Sequence, residues 1–168
     1  TDKPRPKQID YTGSKIYFEV DQSTSKCLRE VARKLKVSLY SLLLSGYYLM
    51  LRAYGNQDDI VIGVATSNRN YKQVKMLEGL FANIIAFRVK IDVTSSIKEF
   101  VKQVEYEVIA AQLHQDLPFE KLVRELKLPI DTSRHPIFQV SFDLQGFYND
   151  LYDQTKEEKN NTLQVYRK

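Results

Sequence analysis

The sequence predicts a layered α/β sandwich. Hydrophobic residues make up 43% of the 168 positions, which is enough for a buried core. The hydrophobic periodicity predicts elements in the order β-α-α-β-β-α-α-β, and mixed elements of this kind pack as layers. The length fits one domain, or one lobe of a larger domain.

The first elements follow an extended N-terminal segment. Residues 1–13 begin with TDKPRP, whose prolines favour a linker. SKIYFEV alternates and predicts a strand, and STSKCLREVARKLKV has helical spacing that places Cys27 on the buried side. Ser38 is the predicted N-cap of a second helix that is apolar on nearly all sides, and Gly55 is its predicted stop. DDIVIGVAT is typical of a strand that is buried on both faces.

The second half of the sandwich begins with a polar stretch, residues 67–79, which predicts a loop before the strand LFANIIAFRVKID. Ser96 and Glu99 form a capping box for a helix to about Leu113, whose apolar stripe is Ile97, Phe100, Val101, Val104 and Val108. PFEKLVREL predicts a short helix with Pro118 in its first turn, and its predicted buried residues are Phe119, Leu122, Val123 and Leu126. PIFQVSFDL predicts the last strand, and residues 147–168 form a polar tail.

Charge and cysteine content exclude several classes of protein. The chain has 25 basic and 21 acidic residues, and we interpret the resulting +4 as scattered charge, so we expect no nucleic-acid partner. The most apolar run, LYSLLLSGYYLMLRAYG, is too short for a membrane span and contains Arg52, so we expect no membrane partner. A single cysteine cannot form an internal disulfide, which favours a cytoplasmic location.

Both histidines lie between residues 112 and 145, next to proline-containing turns. His114 lies near a helix C-terminus, where a protonated imidazole interacts favourably with the helix dipole. His135 precedes Pro136, which favours an extended turn residue on the surface. Asp116 can accept hydrogen bonds from the first N–H groups of the following helix. We expect both histidines to be structural, with catalysis by either as the alternative, and we expect no metal site.

Five blocks, in the same order, resemble the condensation domains of nonribosomal peptide synthetases. HQDLPFEKLV and DTSRHPIFQVSFDLQ resemble two late core motifs of this family, and TDKPRP resembles the link between its two lobes. DIVIGVATSNRN resembles the strand and loop that carry a motif arginine, here Arg69. LEGLFANIIAFRV resembles the family's G-x-F-V-N-T-L stretch, with Gly79, Phe81 and Asn83 in place.

The resemblance implies one lobe of a fold similar to chloramphenicol acetyltransferase, a CoA-dependent acyltransferase. Residues 1–13 are then an inter-lobe linker, residues 14–146 the C-terminal lobe, and residues 147–168 a truncated tail. The family's H-H-x-x-x-D-G motif is absent here and lies in the family's N-terminal lobe. We therefore expect a fragment with no catalytic residue of its own and no activity alone. Alanine and isoleucine flank Asn83 where valine and threonine are usual, which leaves substrate preference open.

The family forms an amide bond between an upstream acyl thioester and a downstream aminoacyl thioester. The implied partners are the N-terminal lobe and two carrier domains, which carry the substrates on phosphopantetheine, so that this chain itself binds no cofactor. Two alternatives remain: an epimerization domain, and an inactive condensation-like module that only docks partners. A heterocyclization domain fits these motifs less well.

The resemblance also implies roles for particular residues. Arg69 pairs with the aspartate of H-H-x-x-x-D-G across the lobe boundary, and its alternative is a solvated loop residue. Asn83 either faces the substrate tunnel or satisfies backbone groups at a bulge. Arg134 braces a polar turn. Phe81 and Ser133 are further candidates for the tunnel wall. The remaining motif residues are expected to be structural: His114, Gln115, Asp116, Pro118, Asp131 and His135.

Overall fold

A computed structural model describes residues 4, 6–9, 11–129 and 131–144, together with the backbone of residues 163–167. Within these ranges the order of the first seven elements is as predicted. Strand β1 (Ile16–Val20) leads into α1 (Gln22–Leu35) and α2 (Leu39–Gly55), and β2 (Asp59–Thr66) and β3 (Asn83–Lys90) follow. Helices α3 (Ile97–Gln112) and α4 (Phe119–Leu126) complete the described helices, and β4 (Leu163–Arg167) is the last strand.

Helix α1 begins at an aspartate cap and buries small side chains. Asp21 accepts a hydrogen bond from the Thr24 N–H at 2.8 Å. The buried residues of α1 are Ser25 and Ala32, and the Ser25 hydroxyl donates to the Val20 carbonyl at 3.3 Å. The prediction that Cys27 is buried is wrong, because its side chain is exposed. Two residues correspond to about 200° around a helix, so Ser25 and Cys27 cannot both face the core.

Helix α2 is covered on most sides, as its composition predicts. Ser38 is the N-cap and accepts from the Ser41 N–H at 3.0 Å. The helix ends at Gly55, but Asn56 rather than the glycine takes the left-handed capping conformation, with φ of 48°. Tyr48 is fully buried, and its hydroxyl donates to the Phe87 carbonyl on β3 at 2.9 Å. This bond fixes α2 against the sheet.

Strands β2 and β3 form the sheet beneath α2 and α3. They pair antiparallel from Asp59 opposite Lys90 to Thr66 opposite Asn83. Their apolar side chains meet those of the two helices in one core: Leu44, Tyr48, Ile60, Ile62, Val64, Phe87, Val89, Ile91, Phe100, Val104 and Val108. The predicted capping box of α3 is present, since Ser96 and Glu99 each bond the other's backbone N–H.

Two residues of α3 and α4 that were predicted to be buried are exposed. Ile97 in the first turn of α3 is 70% exposed, and Leu126 at the end of α4 is 50% exposed. Both lie at helix ends. Pro118 precedes α4 as its N-cap residue rather than lying within the first turn, and it makes no side-chain capping bond.

The C-terminal part differs most from the predicted order. Residues 136–144 do not form a full strand; the described pairing is one parallel bridge between Gly63 and Ser141. Phe142 nevertheless packs on the core against Tyr40 and Tyr47. Strand β4 was not predicted, and it pairs antiparallel with β1. The predicted polar tail otherwise lies outside the described residues. No helix in the described part of the chain is long and apolar enough to span a membrane.

Candidate functional site

Arg69 organises the loop that follows β2. Its Nη1 atom donates to the carbonyls of Val74 and Leu77 at 2.6 and 2.7 Å, and its Nη2 atom donates to the Gly79 carbonyl at 3.2 Å. The guanidinium carbon lies 4.5 Å from the centre of the Phe81 ring, within range of a cation–π contact. Arg69 is half-buried, so it is not the solvated loop residue of the alternative interpretation.

Glycine is required at position 79 because the loop turns sharply there. Gly79 has a φ of +146°, in the region that side-chain-bearing residues rarely adopt. This conformation presents its carbonyl to Arg69 just before β3 begins. A single 3-10 turn, Lys72–Val74, lies within the same loop and supplies a second carbonyl for the guanidinium.

Asn83 clamps the turn between α3 and α4. Its Nδ2 atom donates to the carbonyls of Gln115 and Leu117 at 2.8 and 2.7 Å. Its Oδ1 atom accepts from the Phe119 N–H at 3.2 Å. One of the two expectations was that the Asn83 side chain satisfies backbone groups, and it does. Those groups belong to a turn more than thirty residues away, however, and not to a bulge.

Asn83 takes the capping role that was expected of Asp116. The first N–H of α4 is directed at Asn83, and Asp116 instead accepts a hydrogen bond from the Tyr71 hydroxyl at 3.3 Å. The expectation for Asp116 is wrong because the turn holds its carboxylate outward, against the loop that follows β2. A capping partner from another strand is invisible to the local spacing on which N-cap predictions depend.

Gln115 joins the same turn to the end of β2. The hydroxyl of Thr66 donates to the Gln115 Oε1 atom at 2.6 Å, and the Gln115 Nε2 atom donates back to the Gln112 carbonyl at 2.8 Å. The motif blocks that contain Arg69, Asn83 and Gln115 therefore meet at one end of the β2–β3 sheet. Thr66 and Tyr71 complete this junction and were missed as site residues; a polar residue at the end of a buried strand was the available signal.

The two histidines occupy different environments. His114 is exposed, and its imidazole makes no hydrogen bond with a residue that the structure describes. His135 is half-buried, with ring centres 4.1 Å from Phe138 and 5.1 Å from Phe119. Its Nδ1 atom is buried without a hydrogen-bond partner. The prediction of a surface turn residue is wrong for His135, because the two phenyl rings hold it against the lobe.

The polar turn at residues 131–134 is built as predicted. Asp131 accepts hydrogen bonds from the Ser133 N–H and hydroxyl and from the Arg134 guanidinium. These hydrogen bonds lower the pKa of Asp131 to about 2, and the bond from the Ser133 hydroxyl has the largest effect. Thr132 connects this turn to the N-terminal segment by two hydrogen bonds. Its hydroxyl donates to the Lys7 carbonyl at 3.0 Å, and its carbonyl accepts from the Ile9 N–H at 2.9 Å.

Comparison with known proteins identifies the family. The family model described as "Condensation domain" matches residues 1–167. This chain belongs to the condensation-domain family. Within that family, the N-(5-amino-5-carboxypentanoyl)-L-cysteinyl-D-valine synthase of Amycolatopsis lactamdurans is 46% identical over 145 residues, which cover 86% of this chain and 4% of that protein.

Solved condensation-domain structures have the same fold. A four-domain nonribosomal peptide synthetase, AB3403, bound to AMP and glycine, superposes with a TM-score of 0.85 at 28% identity, over 89% of this chain and 11% of that one. The condensation domain of the Monacolin K polyketide synthase MokA gives 0.74 at 25% identity, over 82% of this chain and 32% of that one. The fold class is thus confirmed, and the chain spans about a third of that single-domain structure.

The condensation-domain motifs of this chain carry no metal cluster in its described part. Within residues 4, 6–9, 11–129 and 131–144, no three His, Cys, Asp or Glu side chains are grouped so that they can hold a metal ion. The polar groups that meet at the junction are instead amides, hydroxyls, backbone carbonyls and one guanidinium. Such groups can bind and orient a polar ligand or a neighbouring chain segment through hydrogen bonds.

Proposed function

We propose that this chain is the C-terminal lobe of an amide-forming condensation domain. In the proposed reaction, the amine of a downstream aminoacyl thioester attacks the carbonyl of an upstream acyl thioester. Condensation domains of this family work with substrates held on carrier-bound phosphopantetheine, so the proposed partners are two carrier domains and an N-terminal lobe. The exposed free thiol of Cys27 favours the cytoplasm, where thiols stay reduced.

The organisation of Arg69 carries this proposal. A guanidinium has five N–H donors, and three of them bond the carbonyls of the loop. The Nε–H and one of the two Nη2–H groups have no hydrogen bond with a described residue. Nε and Nη2 lie on the planar edge of the guanidinium that matches a carboxylate in a bidentate pair. We assign this edge to the aspartate of H-H-x-x-x-D-G on the N-terminal lobe.

A carboxylate bound in this way supports the chemistry through position. The loop carbonyls fix the guanidinium before the lobes meet, so little side-chain entropy is lost when the pair forms. The paired aspartate then fixes the motif that carries the N-terminal lobe's histidine. Orientation of an amine against a thioester carbonyl lowers the barrier by up to about 7–11 kcal/mol in well-aligned systems. This chain supplies the opposing wall, with Asn83 holding one of its turns.

Reconstitution with an N-terminal lobe tests the proposal. The chain is joined to the N-terminal lobe of the Amycolatopsis lactamdurans relative, and dipeptide formation between loaded carrier domains is followed by mass spectrometry. We expect Arg69→Ala to lower the rate at least about tenfold, because it leaves a partly buried aspartate unpaired. Arg69→Lys keeps the charge but lacks the planar edge, so we expect a loss of similar size.

Arg88 provides the matched control. It also lies at the β2–β3 sheet, but it forms an exposed ion pair with Asp59 at 2.7 Å and is 72% exposed. Arg88→Ala should change the rate less than about twofold, since exposed pairs contribute little. Equal effects of Arg69→Ala and Arg88→Ala, or dipeptide formation by this chain without the N-terminal lobe, contradict the proposal.

A further inference from the structure

The exposed face of α1 carries a row of basic side chains. The row is formed by Lys26, Arg29 and Arg33, which are separated by three and four residues, the spacing that aligns side chains along one stripe of a helix. Lys36 follows as the C-cap residue, in the left-handed conformation. All four side chains are exposed, and none of them makes a hydrogen bond or ion pair with a residue in the described ranges. The row shares no residue with the site around Arg69 and Asn83.

The net charge of the chain is concentrated at this helix. Residues 22–36 contain five basic side chains and one acidic side chain, Glu30, for a net charge of +4, which equals the formal charge of all 168 residues. The remaining sequence is therefore neutral as a whole. The interpretation of the +4 as scattered charge is wrong, because the net positive charge lies in one helix and its C-cap residue.

The chemistry around the row selects a protein as the partner. The exposed residues of α1 include no aromatic side chain for base stacking. The same face has no bulky apolar side chain for insertion into a lipid surface. The seven-residue rise from Lys26 to Arg33 extends about 10 Å, which matches two turns of carboxylates on another helix.

We propose that the basic row of α1, Lys26, Arg29 and Arg33, docks an acidic α-helix of a partner protein. Each basic side chain then faces one carboxylate, and the three pairs act together along one line. Such complementary rows determine which partner binds and in which register, and they raise the rate of encounter at low salt. The contact lies outside the proposed reaction site, so it is tested without any assay of condensation.

The test uses two synthetic helical peptides of the same composition as probes. One has glutamates separated by three and four residues, and the other has the same glutamates distributed around the helix. Fluorescence anisotropy measures the binding of each peptide to the 168-residue chain at low and high salt. We expect the aligned peptide to bind at least about fivefold tighter, because three exposed pairs contribute together, and the preference to disappear at high salt.

Charge reversals with a matched control locate the binding surface. The double variant Lys26→Glu and Arg33→Glu should abolish the preference for the aligned peptide. Lys98→Glu and Lys102→Glu change the net charge equally at exposed positions of α3 and should retain it. Circular dichroism shows that both variants are folded. Equal binding of the two peptides, equal losses in the two variants, or tighter binding to duplex DNA or phosphatidylserine vesicles of matched charge overturns the proposal.

Discussion

Replacement of Asn83 by alanine should detach the turn between α3 and α4 from the sheet. The substitution removes two hydrogen bonds donated at 2.8 and 2.7 Å and one accepted at 3.2 Å. A hydrogen bond of this kind contributes about 0.5–1.5 kcal/mol net, so the three together contribute about 1.5–4.5 kcal/mol. Water can reach part of this turn, because Leu117 is 43% exposed, so we expect a loss of about 2 kcal/mol in the free energy of unfolding.

Urea unfolding of the 168-residue chain, followed by circular dichroism, measures this loss, and amide hydrogen exchange at Phe119 reports the turn itself. Asn83→Asp retains an acceptor for the Phe119 N–H but places a carboxylate against two carbonyls. Asn83→Asp should lower the free energy of unfolding at least as much as Asn83→Ala does, while the Phe119 amide stays protected from hydrogen exchange.

The control for this prediction is Gln103→Ala. Gln103 is also an amide that bonds the backbone of another element, but it makes one exposed bond, to the Lys90 carbonyl at 3.1 Å. We expect its loss to cost less than about 0.5 kcal/mol. If Asn83→Ala is as mild as Gln103→Ala and leaves exchange at Phe119 unchanged, the clamp does not hold the turn and our reasoning about this site fails.

Further predictions concern packing, buried hydroxyls and pH. Gly63→Ala should cost about 1–3 kcal/mol, because a methyl group there overlaps the Phe138 ring, whereas Gly46→Ala, in open space on α2, should stabilise by about 0.5–1 kcal/mol. Tyr48→Phe should cost about 1–2 kcal/mol, whereas Tyr40→Phe should be nearly neutral, because the buried Tyr40 hydroxyl has no hydrogen-bond partner. Hydrogen bonds to the ionised Asp131 carboxylate lower its pKa and stabilise the folded turn above pH 3.8. This contribution to the free energy of unfolding should be lost as the carboxylate is protonated, when the pH falls towards 2.

Each of these predictions has a direct measurement. Urea unfolding compares the glycine pair and the tyrosine pair, and equal effects within either pair contradict the packing or hydrogen-bond argument. Burial raises the pKa of both tyrosine hydroxyls above the ordinary value, so both stay protonated during these measurements. An NMR titration of the Asp131 carboxyl carbon tests the third prediction, and a midpoint at or above 3.8 contradicts it.

Most helices and the central strands were predictable because their signals are local. The caps Ser38 and Ser96 bond N–H groups three residues away, and such spacing is readable in the printed order of residues. The apolar run of β2 and the stripe of α3 likewise repeat within a few residues. The prediction of burial was wrong at Ile97, where the apolar pattern continues into an exposed helix end. It was also wrong at Cys27, because Cys27 and the buried Ser25 point to different sides of α1.

The sites were less predictable because their contacts join distant residues. The motif resemblance named Arg69 and Asn83, but nothing in their local sequence indicates which carbonyls they bond. The short strand at residues 136–144 also failed as a prediction: alternation favours a strand, but a strand forms only where a neighbour offers a free edge, and the described pairing is limited to the bridge at Gly63. Strand β4 depends likewise on β1, at the other end of the chain.

By itself the sequence determined the order of the helices and central strands, the N-caps of α2 and α3 and the family motifs, since these depend on residues within one or two turns of each other. Only the tertiary structure decided that Asn83 holds a turn 32 to 36 residues away and that three loop carbonyls accept hydrogen bonds from Arg69. The physical reason is that a hydrogen bond between distant segments forms only after the core has brought them together, and the core is a property of the whole fold.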